Sequence, residues 1–80
     1  MVTLTCKLLF PDGKVVTGKM TAESPEGRNP VQYDGPVERL SETFDDTTVA
    51  SLIFLFRDLA RETGAAFSSD MEGEFDQWAE

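Results

Sequence analysis

Apolar and polar residues alternate over the first ten positions of the chain. Apolar side chains occupy every even position from Val2 to Phe10, and the odd positions between them are mostly polar. A period of two is typical of a strand with one buried face. The sequence Pro11-Asp12-Gly13 follows, and these residue types favour a three-residue hairpin turn. Pairing Phe10 with Lys14 therefore predicts a β-hairpin over residues 1–23.

This register sorts the hairpin side chains into an apolar and a polar face. The apolar face contains the pairs Leu8 with Val16, Cys6 with Gly18, Leu4 with Met20 and Val2 with Ala22. The polar face contains Thr3, Thr5, Lys7, Thr17, Lys19 and Thr21. Burial of one face requires such sorting, because a slip of one residue would exchange the two sets.

A helical period begins after residue 45. The segment Asp45-Asp46-Thr47-Thr48 offers capping oxygens and negative charge at a helix N-terminus, and Gly64 marks the stop. One stripe of the helical wheel holds Val49, Leu52, Ile53, Phe56, Leu59, Ala60 and Thr63. We expect a helix over residues 46–63 that packs this stripe on the apolar face of the hairpin.

The remaining segments carry weaker signals. Residues 24–30 contain two Pro and one Gly and indicate a loop, followed by short strands over 31–33 and 37–44. Residues 65–69 are compatible with a final strand. Met71, Phe75 and Trp78 have the spacing of a short amphipathic helix, and an extended acidic segment over 70–80 is the alternative. The sequence thus predicts one α+β domain over residues 1–80, with a small antiparallel sheet packed by one long helix.

Composition argues against catalysis. The chain has no His, and its single Cys6 stands among core positions without a base to activate it. The run Asp70-x-Glu72-x-Glu74 resembles the start of a calcium loop but lacks the Gly and Glu required later in that motif. We therefore expect a non-enzymatic protein without a metal or cofactor. No segment has the length and hydropathy of a membrane span, so a soluble cytoplasmic protein without membrane contact is expected.

The net charge of −8 lies entirely in the second half of the chain. Residues 1–40 hold five acids and five bases, whereas residues 41–80 hold ten acids and two bases. Such a chain repels nucleic acid directly but is attracted to a basic groove that binds nucleic acid. If residues 70–76 are extended, Asp70, Glu72, Glu74 and Asp76 lie on one side about 6.6 Å apart, comparable with phosphates along a strand. The bland alternative is an acidic surface that keeps a small protein in solution.

Other residues complete the predicted partner-binding surface. A second acidic cluster comprises Glu38, Glu42, Asp45 and Asp46. Phe54 lies off the apolar stripe beside Arg57 and Arg61, which is typical of an interface anchor, unless the C-terminal segment covers it. Trp78 either supplies that cover or forms part of a homodimer contact.

A short, strongly acidic, His-free α+β chain with these two acidic sets resembles the small anti-CRISPR proteins of phages and mobile elements. The resemblance implies an inhibitor in the host bacterial cell that occupies the DNA-binding surface of a Cascade-type CRISPR effector, a basic nucleic-acid-binding complex. Its carboxylates would stand in for phosphates. The alternative is a small structural or regulatory subunit that self-associates or docks through Phe54, Phe75 and Trp78.

Overall fold

A computed structural model describes residues 1–40 and 46–75 of the chain. It contains a four-stranded antiparallel sheet and one α-helix, in the order β1 (Val2–Leu9), β2 (Val15–Ala22), β3 (Gln32–Asp34), α1 (Val49–Thr63) and β4 (Ala66–Gly73). The strands are arranged β3-β2-β1-β4 across the sheet, with α1 covering one face. The predicted α+β class is confirmed. No helix in the described ranges is long and apolar enough to cross a membrane.

The N-terminal hairpin has the predicted register. The backbone N–H of Phe10 donates to the Lys14 carbonyl at 2.9 Å, and β1 then pairs with β2 from Leu9 with Val15 to Val2 with Ala22. The apolar face is buried beneath α1, while the Thr- and Lys-rich face is left open. Turn geometry and alternation therefore agree on a single register.

The helix ends at Thr63 as predicted but begins at Val49 rather than at residue 46, because Thr48 is its N-cap. The Thr48 hydroxyl accepts a hydrogen bond from the Ser51 N–H at 3.2 Å, and Gly64 closes the helix in a left-handed conformation. The buried core comprises Leu4, Cys6, Leu8, Phe10, Val16, Met20, Ala22, Leu40, Val49, Leu52, Leu55, Phe56 and Leu59. Most of the predicted stripe thus faces the sheet, and Leu55 joins it.

The Phe56 ring of α1 lies directly against Gly18 of β2. A Cβ placed on Gly18 would lie 2.7 Å from Cζ of Phe56, and the Tyr33 ring is 3.5 Å from the same position. Phe56 is fully buried. The missing side chain at Gly18 therefore makes the space that the Phe56 ring fills, in the middle of the sheet.

The strand predicted over residues 37–44 is wrong at its start. Residues Val37–Arg39 form one turn of 3-10 helix, and Leu40 beyond them is buried. The Arg39 guanidinium forms an ion pair with Asp12 and lies 5.1 Å from the centre of the Phe10 ring. This tertiary contact holds the segment against the hairpin turn. Residues 41–44 of the predicted strand lie outside the described ranges.

The last strand is longer than predicted. It includes Met71, where the sequence predicts the start of a short helix. β4 runs from Ala66 to Gly73 and pairs along its whole length with β1, from Leu9 with Ala66 to Val2 with Gly73. Met71 is therefore extended rather than helical. Glu74 and Phe75 follow β4 without forming a helix, so the helix prediction is wrong over residues 71–75. Residues 76–80, with Trp78, lie outside the described residues.

The Gly18 contact predicts a strong stability effect. We expect Gly18→Ala to lower the free energy of unfolding by about 1–3 kcal/mol, because the added methyl group overlaps the buried Phe56 ring. Urea unfolding followed by circular dichroism measures the change.

A double variant tests the cause of that loss. Adding Phe56→Leu to Gly18→Ala removes the clashing ring atoms, so the two substitutions together should cost less than the sum of their separate effects. Strictly additive effects would mean that the Gly18 backbone, and not the Phe56 ring, accounts for the sensitivity.

Candidate acidic binding surface

The carboxylates of Asp70 and Glu72 project from the open face of β4. Asp70 pairs with Thr5 of β1 and Glu72 pairs with Thr3, and these threonines belong to the polar face of the hairpin. Both acidic residues are exposed. The two residues are two positions apart in an extended strand. They therefore share a face, and their Cα atoms are about 6.6 Å apart. The extended arrangement expected for this part of the acidic run is thus present.

Two lysines occupy the same open face without opposing these carboxylates directly. Lys7 lies opposite Ser68, whereas Lys19 is separated from Asp70 by the intervening Thr5. The side chains of Asp70 and Glu72 form no ion pair or hydrogen bond within the described residues. Their charge is therefore available to a partner. Because Lys7 and Lys19 lie on the neighbouring strands, the acidic part of the open face is limited to its β4 edge.

The acidic row changes direction after Glu72. Gly73 has a φ of +97°, a conformation that side chains rarely adopt, and a Cβ there would lie 2.3 Å from the Met1 carbonyl oxygen. The N-terminal amino group of Met1 donates to the Glu74 carbonyl at 2.6 Å. Glu74 is exposed but lies beyond the strand, so it does not continue the alternation of Asp70 and Glu72.

The two described members of the second predicted acidic cluster, Glu38 and Asp46, lie in different segments of the fold. Glu38 lies on the 3-10 turn, whose Arg39 forms an ion pair with Asp12 of the hairpin loop. Asp46 is exposed immediately before Thr47, whose backbone exchanges two hydrogen bonds with Asn29. Among the predicted partner-binding residues, Glu42, Asp45, Asp76 and Trp78 lie outside the described residues.

Phe54 and Phe75 have different environments. Phe54 is 60% exposed, as expected from its position off the buried stripe, and it shares the outer surface of α1 with Arg57 and Asp58. Phe75 is half-buried and packs against the core. Of these two rings, Phe54 is the one that presents a large apolar surface to solvent.

The described residues contain no group of three or more Cys, Asp or Glu side chains placed to hold a metal ion. No buried side-chain N or O atom in these ranges lacks a hydrogen-bond partner. One cleft, of about 250 Å³, lies over the end of β2 and is lined by Lys19, Met20, Thr21, Asn29, Pro30 and Gln32. A second, of about 330 Å³, is lined by Met1, Thr21, Ala22, Glu23, Ser24, Gly27, Arg28 and Asn29.

The Cys6 thiol belongs to the core. It is completely buried at the centre of β1, and burial raises its pKa from 9.0 to about 11. A neutral thiol is a poor nucleophile, so Cys6 serves packing. Because the folded-state pKa is the higher one, the associated stability is fully present below pH 9.0 and is lost as the pH rises towards 11.

This pKa shift predicts a difference between the wild type and Cys6→Ala. At neutral pH we expect the variant to be less stable by about 1–2 kcal/mol through loss of buried volume. That difference should narrow between pH 9.0 and 11, because Cys6 ionises in the unfolded wild type while the buried thiol of the folded protein stays protonated. Urea unfolding of both proteins across this range measures it, and a constant difference would contradict the assignment.

No family model, curated protein or solved structure matches the chain. The placement of charge and exposed apolar surface on this fold is therefore the observation that bears on its function.

Proposed function

We propose that the protein is a non-catalytic binding protein whose acidic surface occupies a basic, nucleic-acid-binding surface of a partner. The observation that carries the proposal is the pair Asp70 and Glu72, held side by side on the exposed face of β4 without neutralising contacts in the described chain. A backbone fixed by strand pairing presents these charges without the cost of ordering a flexible segment. Fixed carboxylates at this spacing suit a groove that otherwise binds successive phosphates.

The resemblance to small acidic anti-CRISPR proteins narrows this proposal. It makes the partner a Cascade-type CRISPR effector and the consequence a block of target DNA binding in a phage-infected bacterial cell. The net charge of −8 supports long-range attraction to such a surface and disfavours direct binding of nucleic acid.

Competition for DNA tests the proposal. We expect the protein to prevent a purified Cascade-type effector from binding target duplex DNA, and we expect this inhibition to weaken steeply as salt is raised. The variant Asp70→Asn/Glu72→Gln keeps the shape of both side chains and should bind the effector at least about tenfold more weakly.

The matched control is Asp58→Asn/Glu62→Gln on the exposed surface of α1. It removes the same number of charges, so it separates a local effect of the β4 acids from an effect of net charge. Full DNA binding by the effector in excess protein would exclude this partner. Equal inhibition by both variants would exclude β4 as the contact.

A second candidate function is apolar docking by a small structural or regulatory subunit. The exposure of Phe54 favours it, because a large aromatic ring flanked by Arg57 is a common anchor of protein interfaces. Phe75 is already engaged with the core and contributes less free surface.

The variant Phe54→Glu distinguishes apolar docking from charge mimicry. We expect its stability to stay within about 0.5 kcal/mol of the wild type, since the ring is mostly in solvent. Under charge mimicry through β4, inhibition of the effector should also be unchanged. Loss of partner binding in Phe54→Glu, combined with little dependence on salt, would instead favour docking through α1.

A further inference from the structure

The two edges of the sheet differ in length. At one edge β3 has three residues, and a strand this short offers little to an incoming chain. At the other edge β4 has eight residues, and in the described part of the chain no strand pairs with its outer side. A long free edge is a template for strand addition.

The hairpin hydrogen bonds fix which residues of β4 direct their backbone outwards. Since the Phe10 N–H donates to Lys14, the even residues of β1 exchange backbone hydrogen bonds with β2. The odd residues of β1 therefore exchange theirs with β4, where the partners are Ala66, Ser68, Asp70 and Glu72. The intervening Phe67, Ser69 and Met71 consequently point their N–H and C=O groups to the free edge.

We propose that this edge binds the same edge of a second copy of the chain, so that two four-stranded sheets join through an antiparallel β4–β4 pair. A two-fold axis at Ser69 places this residue opposite Ser69 of the second copy. The two strands then overlap from Ala66 to Glu72. The outward-facing N–H and C=O groups then meet as hydrogen-bonded pairs. Both helices lie on the same side of the resulting eight-stranded sheet.

Side chains favour the register centred on Ser69. On the helix side it sets half-buried Phe67 against Met71 of the second copy, which is 46% exposed in the single chain. On the open side it sets Asp70 against Ser68, and Glu72 against Ala66. Apolar groups thus meet apolar groups, and each carboxylate faces an uncharged residue.

The neighbouring registers are less favourable. An axis at Asp70 would place the two Asp70 carboxylates directly opposite each other, and an axis at Met71 would place Asp70 opposite Glu72. Like charges in direct cross-strand pairs are destabilising. An axis at Ser68 shortens the overlap and leaves Met71 without a partner. The strand is therefore self-complementary in one register.

The dimer has a distinctive dependence on salt. It brings Asp70 and Glu72 of both copies onto one open face, and each chain carries a charge of −8, so repulsion opposes association. Screening should therefore strengthen self-association. This sign is opposite to that expected for a basic partner, which makes the dimer testable independently of the proposed function.

Sedimentation velocity over a range of protein concentrations tests self-association. We expect the dimer fraction to rise with protein and with salt, and we expect Ser69→Pro to weaken dimerisation roughly tenfold to a hundredfold. Proline at this position removes an outward N–H and spares the hydrogen bonds to β1. The control Ser69→Ala keeps the N–H and should dimerise like the wild type.

Amide hydrogen exchange of the wild type decides the geometry without any variant, even if Ser69→Pro fails to fold. The amides of Ser68, Asp70 and Glu72 should be protected at every concentration. Those of Phe67, Ser69 and Met71 should gain protection only as the dimer forms. Concentration-dependent protection of alternate amides is the pattern expected for the β4–β4 pair.

Three outcomes would overturn the proposal. One is a wild type that stays monomeric at high protein concentration and high salt. Another is a dimer that Ser69→Pro leaves intact, which would place the contact elsewhere, such as at Phe54. The third is protection of the alternate amides only on addition of a lysine-rich extended peptide, which would assign the edge to a basic partner strand.

Discussion

The buried Phe56 ring of α1 packs directly against the backbone of Gly18 in β2. The ring fills the space that a side chain at position 18 would occupy, and it does so at the middle strands, where burial is complete. In the described residues one helix covers one face of four strands, and its other buried residues complete the core around this contact.

Once this face is committed to the helix, the other surfaces are determined by periodicity. Alternation along the strands leaves the opposite face with threonines, lysines and the carboxylates of Asp70 and Glu72. The helical period places Phe54 on the outer surface of α1, where nothing in the described chain covers most of its ring. The two candidate contact surfaces therefore lie on opposite sides of the molecule, and each favours a different kind of partner.

Both proposals for β4 depend on the alternation of even and odd residues along this strand. Residues that present side chains to the open face bond their backbone to β1, so Asp70 and Glu72 are rigidly placed. Residues of the other parity direct side chains to the helix side and backbone groups to the free edge. An acidic face and an unpaired edge thus share one strand, and a dimer through the edge would bring two acidic pairs together to form a larger charged surface.

The sequence by itself determined the hairpin, its register and the helix, because these depend on contacts between near neighbours. It also determined the acidic imbalance, which depends on composition alone. Turn residues 11–13 and strict alternation specify one pairing, and Thr48 and Gly64 define the helix ends. The helical period also placed Phe54 off the buried stripe, and left open whether the C-terminal segment covers it. These features needed no knowledge of distant contacts.

Only the tertiary structure decided the conformation of the segments whose apolar and polar residues follow no clear period. Residues 37–39 alternate weakly, and their 3-10 turn is held by the contacts of Arg39 with Asp12 and Phe10, which are distant in sequence. Both faces of residues 66–73 mix apolar and polar side chains. The sequence was compatible with a strand up to residue 69 and left a strand or a helix open beyond it. Pairing with β1 over a separation of more than half the chain made them a strand. Side-chain patterning specifies a strand only where burial enforces one face, and an edge strand buries too little for that.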